Sequence, residues 1–177
     1  MIRRGPRRLA DGEVALREIA PADARDLYRW RMQPRVQPLF HSSRAVPWEE
    51  HAAFVDRYFA ADNDDAWFVI EVSGRPAGAV ALYRSGVAGD RGAWEAGRIV
   101  FAPEHRGLAA FRLARRAIAL LMEHAQAAGH GEMRCEVLAE NRVMRAIVDS
   151  LGFVAIGSGE RHGRRYHELV APLRKEG

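Results

Sequence analysis

The sequence predicts one α/β domain built on a mixed sheet with helices on both faces, and three observations predict it. A 177-residue chain that is 48% hydrophobic can bury one sizeable core, and nothing in its length requires a second domain. Two helical patterns are followed by two strand patterns around a tight turn. Two strand-turn-helix units then succeed one another, and a closing pair of strands completes the order. The domain is expected over residues 12–177, behind a basic tail at 1–11.

Val14 to Ile19 alternates apolar and polar residues, which suits a half-buried first strand. Pro21-Ala22-Asp23 opens a helix through Met32, because proline in the first turn lacks only an N–H that would be unpaired anyway. Pro34 and Pro38 stop it. A second helix runs from Pro47 to Ala60 with an apolar face of Trp48, Ala52, Val55 and Phe59, and Asp62-Asn63-Asp64-Asp65 breaks the chain after it. Trp67 to Val72 and Ala77 to Tyr83 are strands flanking a hairpin turn at Ser73-Gly74-Arg75-Pro76. Gly86, Gly89 and Gly92 mark a loop before a strand at Trp94 to Phe101. Leu113, Ala117, Leu120, Leu121 and His124 recur at helical spacing within 109–128, and Gly129 is placed to end that helix. Cys135 to Leu138 is a strand, Asn141 caps the next helix, and Leu151-Gly152-Phe153 closes it. Val154 to Ile156 and Tyr166 to Val170 are the last strands, around a glycine-rich turn at Gly157, Gly159 and Gly163.

Composition narrows the function. Twenty-seven Lys plus Arg against 23 Asp plus Glu give a mild +4, with Arg3, Arg4, Arg7 and Arg8 at one end and Arg161, Arg164 and Arg165 at the other. Asp23, Asp26, Glu49, Glu50 and Asp56 lie between them, a pattern that argues against a dedicated nucleic-acid binder. Cys135 is the only cysteine, so no intramolecular disulfide and no cysteine-based zinc site can form, and its apolar strand makes it a buried structural thiol. The seven histidines show no metal spacing, and no metal is expected. Neither a signal peptide nor a membrane span is visible, which implies a cytoplasmic protein without a membrane partner.

The first strand-turn-helix unit is readable as a seat for phosphates or as an ordinary surface turn. The first N–H groups of a helix have no partner within it, and the helix dipole adds positive charge there. Arg106 to Ala110 can therefore present several donors to an anion, Arg106 adds a full charge, and Gly107 permits close approach and positive φ. A second unit of the same kind, with the Asn141 amide at its edge, points to an extended, amide-bearing, nucleotide-like ligand between the two.

The run Ile99-Val100-Phe101-Ala102-Pro103-Glu104-His105-Arg106-Gly107, then Glu136-Val137-Leu138-Ala139-Glu140-Asn141 and Leu151-Gly152-Phe153, resembles the Gcn5-related N-acetyltransferase (GNAT) superfamily. The opening Leu16-Arg17-Glu18-Ile19-Ala20-Pro21-Ala22-Asp23-Ala24 is similar to that family's start, so the resemblance covers nearly the whole chain. It implies a splayed central sheet of about seven strands and acetyl-CoA as co-substrate in the splay. The pyrophosphate would sit on Arg106, Gly107, Leu108, Ala109 and Ala110, the pantetheine would pair with Ile99, Val100 and Phe101, and Asn141 would lie near the cofactor arm. Two departures stand out. The family's phosphate loop has Gly or Ala where this chain has Phe111, and its frequent tyrosine acid is replaced by Val148.

Acetyl transfer to a primary amine needs a base and donors for an oxyanion, the latter available from backbone near Ile99 to Phe101. Glu136 aligns with a strand glutamate of some N-terminal peptide acetyltransferases, and Glu95 resembles an acidic residue of the ribosomal-protein-modifying branch. Each is also readable as an ordinary solvated or salt-bridged strand carboxylate. Tyr166 is a substitute acid on the last hairpin. On the acceptor side, Trp30-Arg31-Met32-Gln33-Pro34-Arg35-Val36, with Glu50-His51 and Phe54, is similar to the signature of GNATs that acetylate nucleotide-linked amino sugars, as in pseudaminic acid synthesis. Trp30, Arg31 and His51 thereby become acceptor candidates. Arg31, Arg35 and His41 can meet a diphosphate, and Trp30 or Trp48 can stack on a base or sugar. Helix-end arginines and core tryptophans are the plain alternative, and a packed His51 is another. The expected protein is thus an N-acetyltransferase, monomer or homodimer, acting on a small amine. A protein N-terminus as acceptor and a non-catalytic CoA-binding module stay open.

Overall fold

The computed structural model describes residues 8–60, 65–84 and 93–173. The glycine loop at Gly86, Gly89 and Gly92, most of the polar break and residues 1–7 lie outside them. The strands are β1 (Arg8–Asp11), β2 (Val14–Glu18), β3 (Ala66–Val72), β4 (Arg75–Arg84), β5 (Trp94–Phe101), β6 (Glu132–Leu138), β7 (Val154–Arg161) and β8 (Arg164–Pro172). They form one eight-stranded sheet in the order β1-β2-β3-β4-β5-β6-β8-β7, antiparallel except between β5 and β6. The helices are α1 (Ala24–Arg31), entered through a 3-10 turn at Pro21–Asp23, α2 (Trp48–Ala60), α3 (Gly107–Ala127) and α4 (Arg142–Asp149).

Strand alternation sends neighbouring residues to opposite faces, and a core forms on each. Phe68 and Ile70 join Val80, Leu82, Leu121 and Ile147 under α3 and α4. Trp67 and Val69 join Leu27, Trp30, Val55 and Tyr58 under α1 and α2. Among the described residues no helix is long and apolar enough to cross a membrane.

Four expectations are corrected. Arg8–Asp11 is not tail but strand, paired with β2 from Arg8↔Arg17 to Asp11↔Val14 and held by an ion pair of Arg8 with Glu71. It makes the sheet eight-stranded, and its signal was Asp11-Gly12, with Gly12 at φ 58° in the turn. The face that α2 buries carries His51, Val55 and Tyr58, while Phe59 stays 37% exposed. Polar tips with partners explain this: His51 Nε2 bonds the Ala24 carbonyl at 3.0 Å, and the Tyr58 hydroxyl accepts from the Trp67 N–H at 2.9 Å. The face of α3 is as expected at Ala117, Leu120 and Leu121, which are buried, but it is completed by Ala114, Ile118 and Ala125, while Leu113 and His124 are half-buried. Finally, Gly157 and Gly159 lie inside β7, and the turn is His162-Gly163, at φ 52° and 72°.

The sheet opens where β5 meets β6. Only Trp94↔Met133 and Glu95↔Arg134 pair in parallel, and beyond them the two strands part, giving the expected splay.

Candidate active site

A cavity of about 770 Å³ occupies the splay. Its walls include Glu95, Gly97, Arg98 and Ile99 from β5, Cys135, Glu136 and Val137 from β6, and Tyr83 from β4. A bulge shapes the β5 wall. Ala79 pairs with Val100 and Ala81 with Gly97, so β5 holds one residue more than β4 over this step, and Arg98 adopts φ 53°. A bulge interrupts the ladder and re-aims the chain, releasing backbone groups from β4 beside the cavity.

The two candidate carboxylates both line this cavity, in different surroundings. Glu95 is buried, and its Oε1 accepts the Tyr83 hydroxyl at 2.7 Å across the directly opposed pair Tyr83↔Glu95. Burial pushes its carboxyl up to about 6; the Tyr83 bond, Arg161 and Arg98 oppose that, while Glu136 adds to it. Burial and the Glu95 charge likewise raise the Tyr83 phenol. Glu136 is clamped instead. Arg161 of β7 grips both its oxygens at 2.7 and 3.0 Å, and His41 Nε2 lies 3.1 Å from Oε2. Burial lowers the pKa of His41, against the opposing pull of the Glu136 charge. Cys135, between them in the wall, is a buried thiol pushed up to about 12, chiefly by burial.

Tyr83 is the site residue that sequence reasoning did not find. Its place is set by Gly97, where a Cβ would stand 2.6 Å from the phenol oxygen, and by the Arg98 guanidinium, 4.4 Å from the ring centroid.

A groove of about 330 Å³ continues the cavity, sharing Leu39, Ile99, Asn141 and Met144 with it, and reaches the start of α3. Val100, Phe101, Arg106, Gly107 and Ala110 line it. Leu108 and Ala109 complete the helix's first turn, with Leu108 63% exposed. Gly107 has φ 56°, and a Cβ there would meet nothing within 4 Å, so the approach to the free N–H groups is open. Phe111 packs its ring against the first core while lining the groove, which leaves the helix start unblocked. Asn141 caps α4, its Oδ1 accepting the Met144 N–H at 3.1 Å, while it lines both cavity and groove. Val148 is a buried part of the cavity wall.

The acceptor-side candidates separate. Arg31 lines the main cavity, with Nη2 on the Ser42 carbonyl at 3.0 Å and its guanidinium 3.7 Å from the Phe40 ring centroid. Trp30 does not reach it: at 6% exposure it belongs to the second core and lines none of the three described cavities. His51 ties α2 to α1 and lines a further cavity of about 280 Å³, away from Glu95. Tyr166 is packed between the His41 ring, at 5.0 Å, and Arg161, at 5.2 Å, behind the cavity wall. The C-terminal arginines serve this wall too: besides Arg161 on Glu136, Arg164 pairs with Glu140 and bonds the Phe40 carbonyl at 2.6 Å. No group of three or more His, Cys, Asp or Glu among the described residues could hold a metal ion.

The whole architecture is shared with solved structures. Spermidine N-acetyltransferase from Vibrio cholerae, in complex with CoA and spermine, superposes with a TM-score of 0.76 at 18% identity over 92% of this chain and 97% of that one. The yncA protein from Salmonella typhimurium, with acetyl-CoA, gives 0.68 at 18% over 93% and 96%. RimL, a ribosomal L7/L12 α-N-protein acetyltransferase, gives 0.73 at 12% over 97% and 99%. At these identities the likeness is one of fold. No curated protein matches the sequence. A family model described as the acetyltransferase (GNAT) domain matches residues 13–154, the span that holds the splay, the bulge and the start of α3, and the chain belongs to that family.

Proposed function

We propose that the protein transfers an acetyl group from acetyl-CoA directly to a primary amine, with Glu95 as the base. The observation that carries this reading is the continuity of one channel from the open N-terminal turn of α3 to a buried carboxyl with a raised pKa. Arg106, Gly107 and the N–H groups of Leu108 and Ala109 would hold the pyrophosphate, the Ala110 N–H being bonded to the Arg106 carbonyl at 3.4 Å, and the β5 backbone from Ile99 to Phe101 would hold the pantetheine arm. Bound acetyl-CoA supplies the activated acyl group and a thiol leaving group. Glu95, ionised above about pH 6, takes a proton from the acceptor's ammonium directly or through a water, so that the neutral amine attacks the thioester carbon and the CoA thiolate leaves, and Tyr83 keeps that carboxylate in place. The backbone released at the bulge offers donors to the developing oxyanion.

The acceptor is read as a small amine carrying negative charge, with a nucleotide-linked amino sugar first. Arg31, Arg98 and Arg161 line the cavity, and its two acids are Glu95, which carries the reaction, and Glu136, which Arg161 already neutralises. Thiol release from acetyl-CoA over a panel of amines tests the proposal. Turnover with some member is expected. Binding of acetyl-CoA without turnover of any amine would instead mark a CoA-binding module, and turnover only with peptides would move the acceptor to a protein N-terminus. Failure of acetyl-CoA to raise the melting temperature at concentrations far above its Kd would overturn the cofactor assignment.

A further inference from the structure

The cavity of about 280 Å³ lies between α1, α2 and the sheet. It adjoins the main cavity through a common wall of Arg31, Phe40, Phe54 and Arg98, so a ligand whose amine reaches Glu95 can extend into it. Two of its lining residues carry buried donors without a partner: Arg31 at Nη1 and Trp67 at Nε1. Leaving a buried donor unpaired costs roughly 1–3 kcal/mol, and neither group is at liberty to turn away. Arg31 is fixed by the Ser42 carbonyl and the Phe40 face. Trp67 is 7% exposed and packed edgewise by Phe54 and Tyr58. The charge in the wall points the same way. Arg31, Arg57 and Arg98 face one acid, Glu50, whose two oxygens are held by Arg44 at 2.7 and 3.0 Å. Arg31 is desolvated, and that lowers its pKa below the ordinary value. The rest of the wall is largely aromatic and aliphatic, from Tyr28 and Phe54 to Val46 and Val100.

We propose that this cavity is a subsite for an oxyanion, carboxylate or phosphate, borne on an apolar or aromatic body, with Arg31 and Trp67 as the donors that receive it. The inference rests on the acetyl-transfer reading, in which the anion belongs to the acceptor. A polyamine would meet three arginines here and a single acid, Glu50, that Arg44 already holds, so this chain selects against such acceptors.

Calorimetric titration of the full chain, with and without saturating CoA, tests the subsite directly. The probes are phenyl phosphate and benzoate, which separate the two oxyanions, and benzyl alcohol as their neutral counterpart. At least one anion is expected to bind about tenfold or more tighter than benzyl alcohol, equally well in the presence of CoA. R31M is expected to weaken it about tenfold, and W67F, which keeps the ring and removes only the N–H, about threefold. The proposal is overturned if neither anion outbinds the alcohol, if CoA displaces the anion, or if both folded variants bind it as the parent does. Thiol release then separates this result from the transferase reading. Anion binding without acetylation of any amine would keep the subsite and remove the transferase, whereas acetylation with equal kcat/KM for anionic amines and spermine would do the reverse.

Discussion

Glu95 and Glu136 stand on neighbouring strands, line one cavity, and are made into different chemical groups by what surrounds them. Glu95 meets a phenol and apolar walls, and burial raises its carboxyl to about 6. Glu136 meets a bidentate arginine and a histidine, which hold its charge in place. The first arrangement yields a group that exchanges a proton near neutral pH. The second builds a wall, tying the β7–β8 hairpin and the His41 segment to β6. Residue type is alike for the two, and partners give them different chemistry, which is why the proposed transfer takes Glu95 as its base.

The largest effect should come from E95Q. A general base typically contributes 10²–10⁴-fold, so kcat/KM should fall by about a hundredfold or more while CoA still raises the melting temperature. An unchanged rate would break the comparison outright. The same variant has a stability signature. The folded value of about 6 lies above the ordinary 4.5, so burying the ionised carboxylate costs nothing below pH 4.5 and its full amount, about 2 kcal/mol, above pH 6. E95Q should therefore melt a few degrees higher than the parent at pH 7.5 and alike at pH 4, as read by thermal denaturation.

E136Q should cost about tenfold or less, through a loosened wall. Its informative readout is the pH profile of kcat/KM. Removing the Glu136 charge, and unmasking Arg161 beside Glu95, favours ionised Glu95, so the acid limb should move to lower pH. A loss as large as that of E95Q, with no movement of the limb, would make Glu136 the base instead. The smallest effect belongs to Y83F and has the opposite sign. The lost hydrogen bond had favoured the carboxylate, so the limb should move to higher pH, with a loss of about threefold near pH 6 that closes above pH 8. A uniform loss at every pH would reduce Tyr83 to packing.

Much of this site was legible because its signals are local. A strand, a turn with Arg106-Gly107 and a helix start lie within about ten residues, and Asn141 caps α4 as its position demands. Glu95 and Glu136 were singled out by their resemblance to strand acids of the family. The missing parts depend on contacts between distant segments. Tyr83 faces Glu95 only through the β4–β5 register, and the intervening segment, which includes Gly86, Gly89 and Gly92, hides that register from sequence. The bulge puts its positive φ on Arg98 and not on the neighbouring Gly97, so the residue type at the left-handed position does not announce it. Trp30 sat in a promising signature yet faces the core, since the face a helix buries is chosen by its neighbours. His51 packs, as the plainer of its two readings had it, while Tyr58 on the buried face of α2 escaped notice because a hydropathy pattern does not register a polar tip that finds a partner.

By itself the sequence determined the order and type of the main elements and the strand-turn-helix unit that opens α3, because periodicity, caps and turns are properties of short windows of chain. The tertiary structure decided that β5 and β6 part after one pair beyond Trp94, that Tyr83 stands opposite Glu95, and that Arg161 and His41 close on Glu136. Those outcomes turn on burial and on partners brought from β4, β7 and the His41 segment, and the free energy of a charge is set by such neighbours, not by its place in the chain.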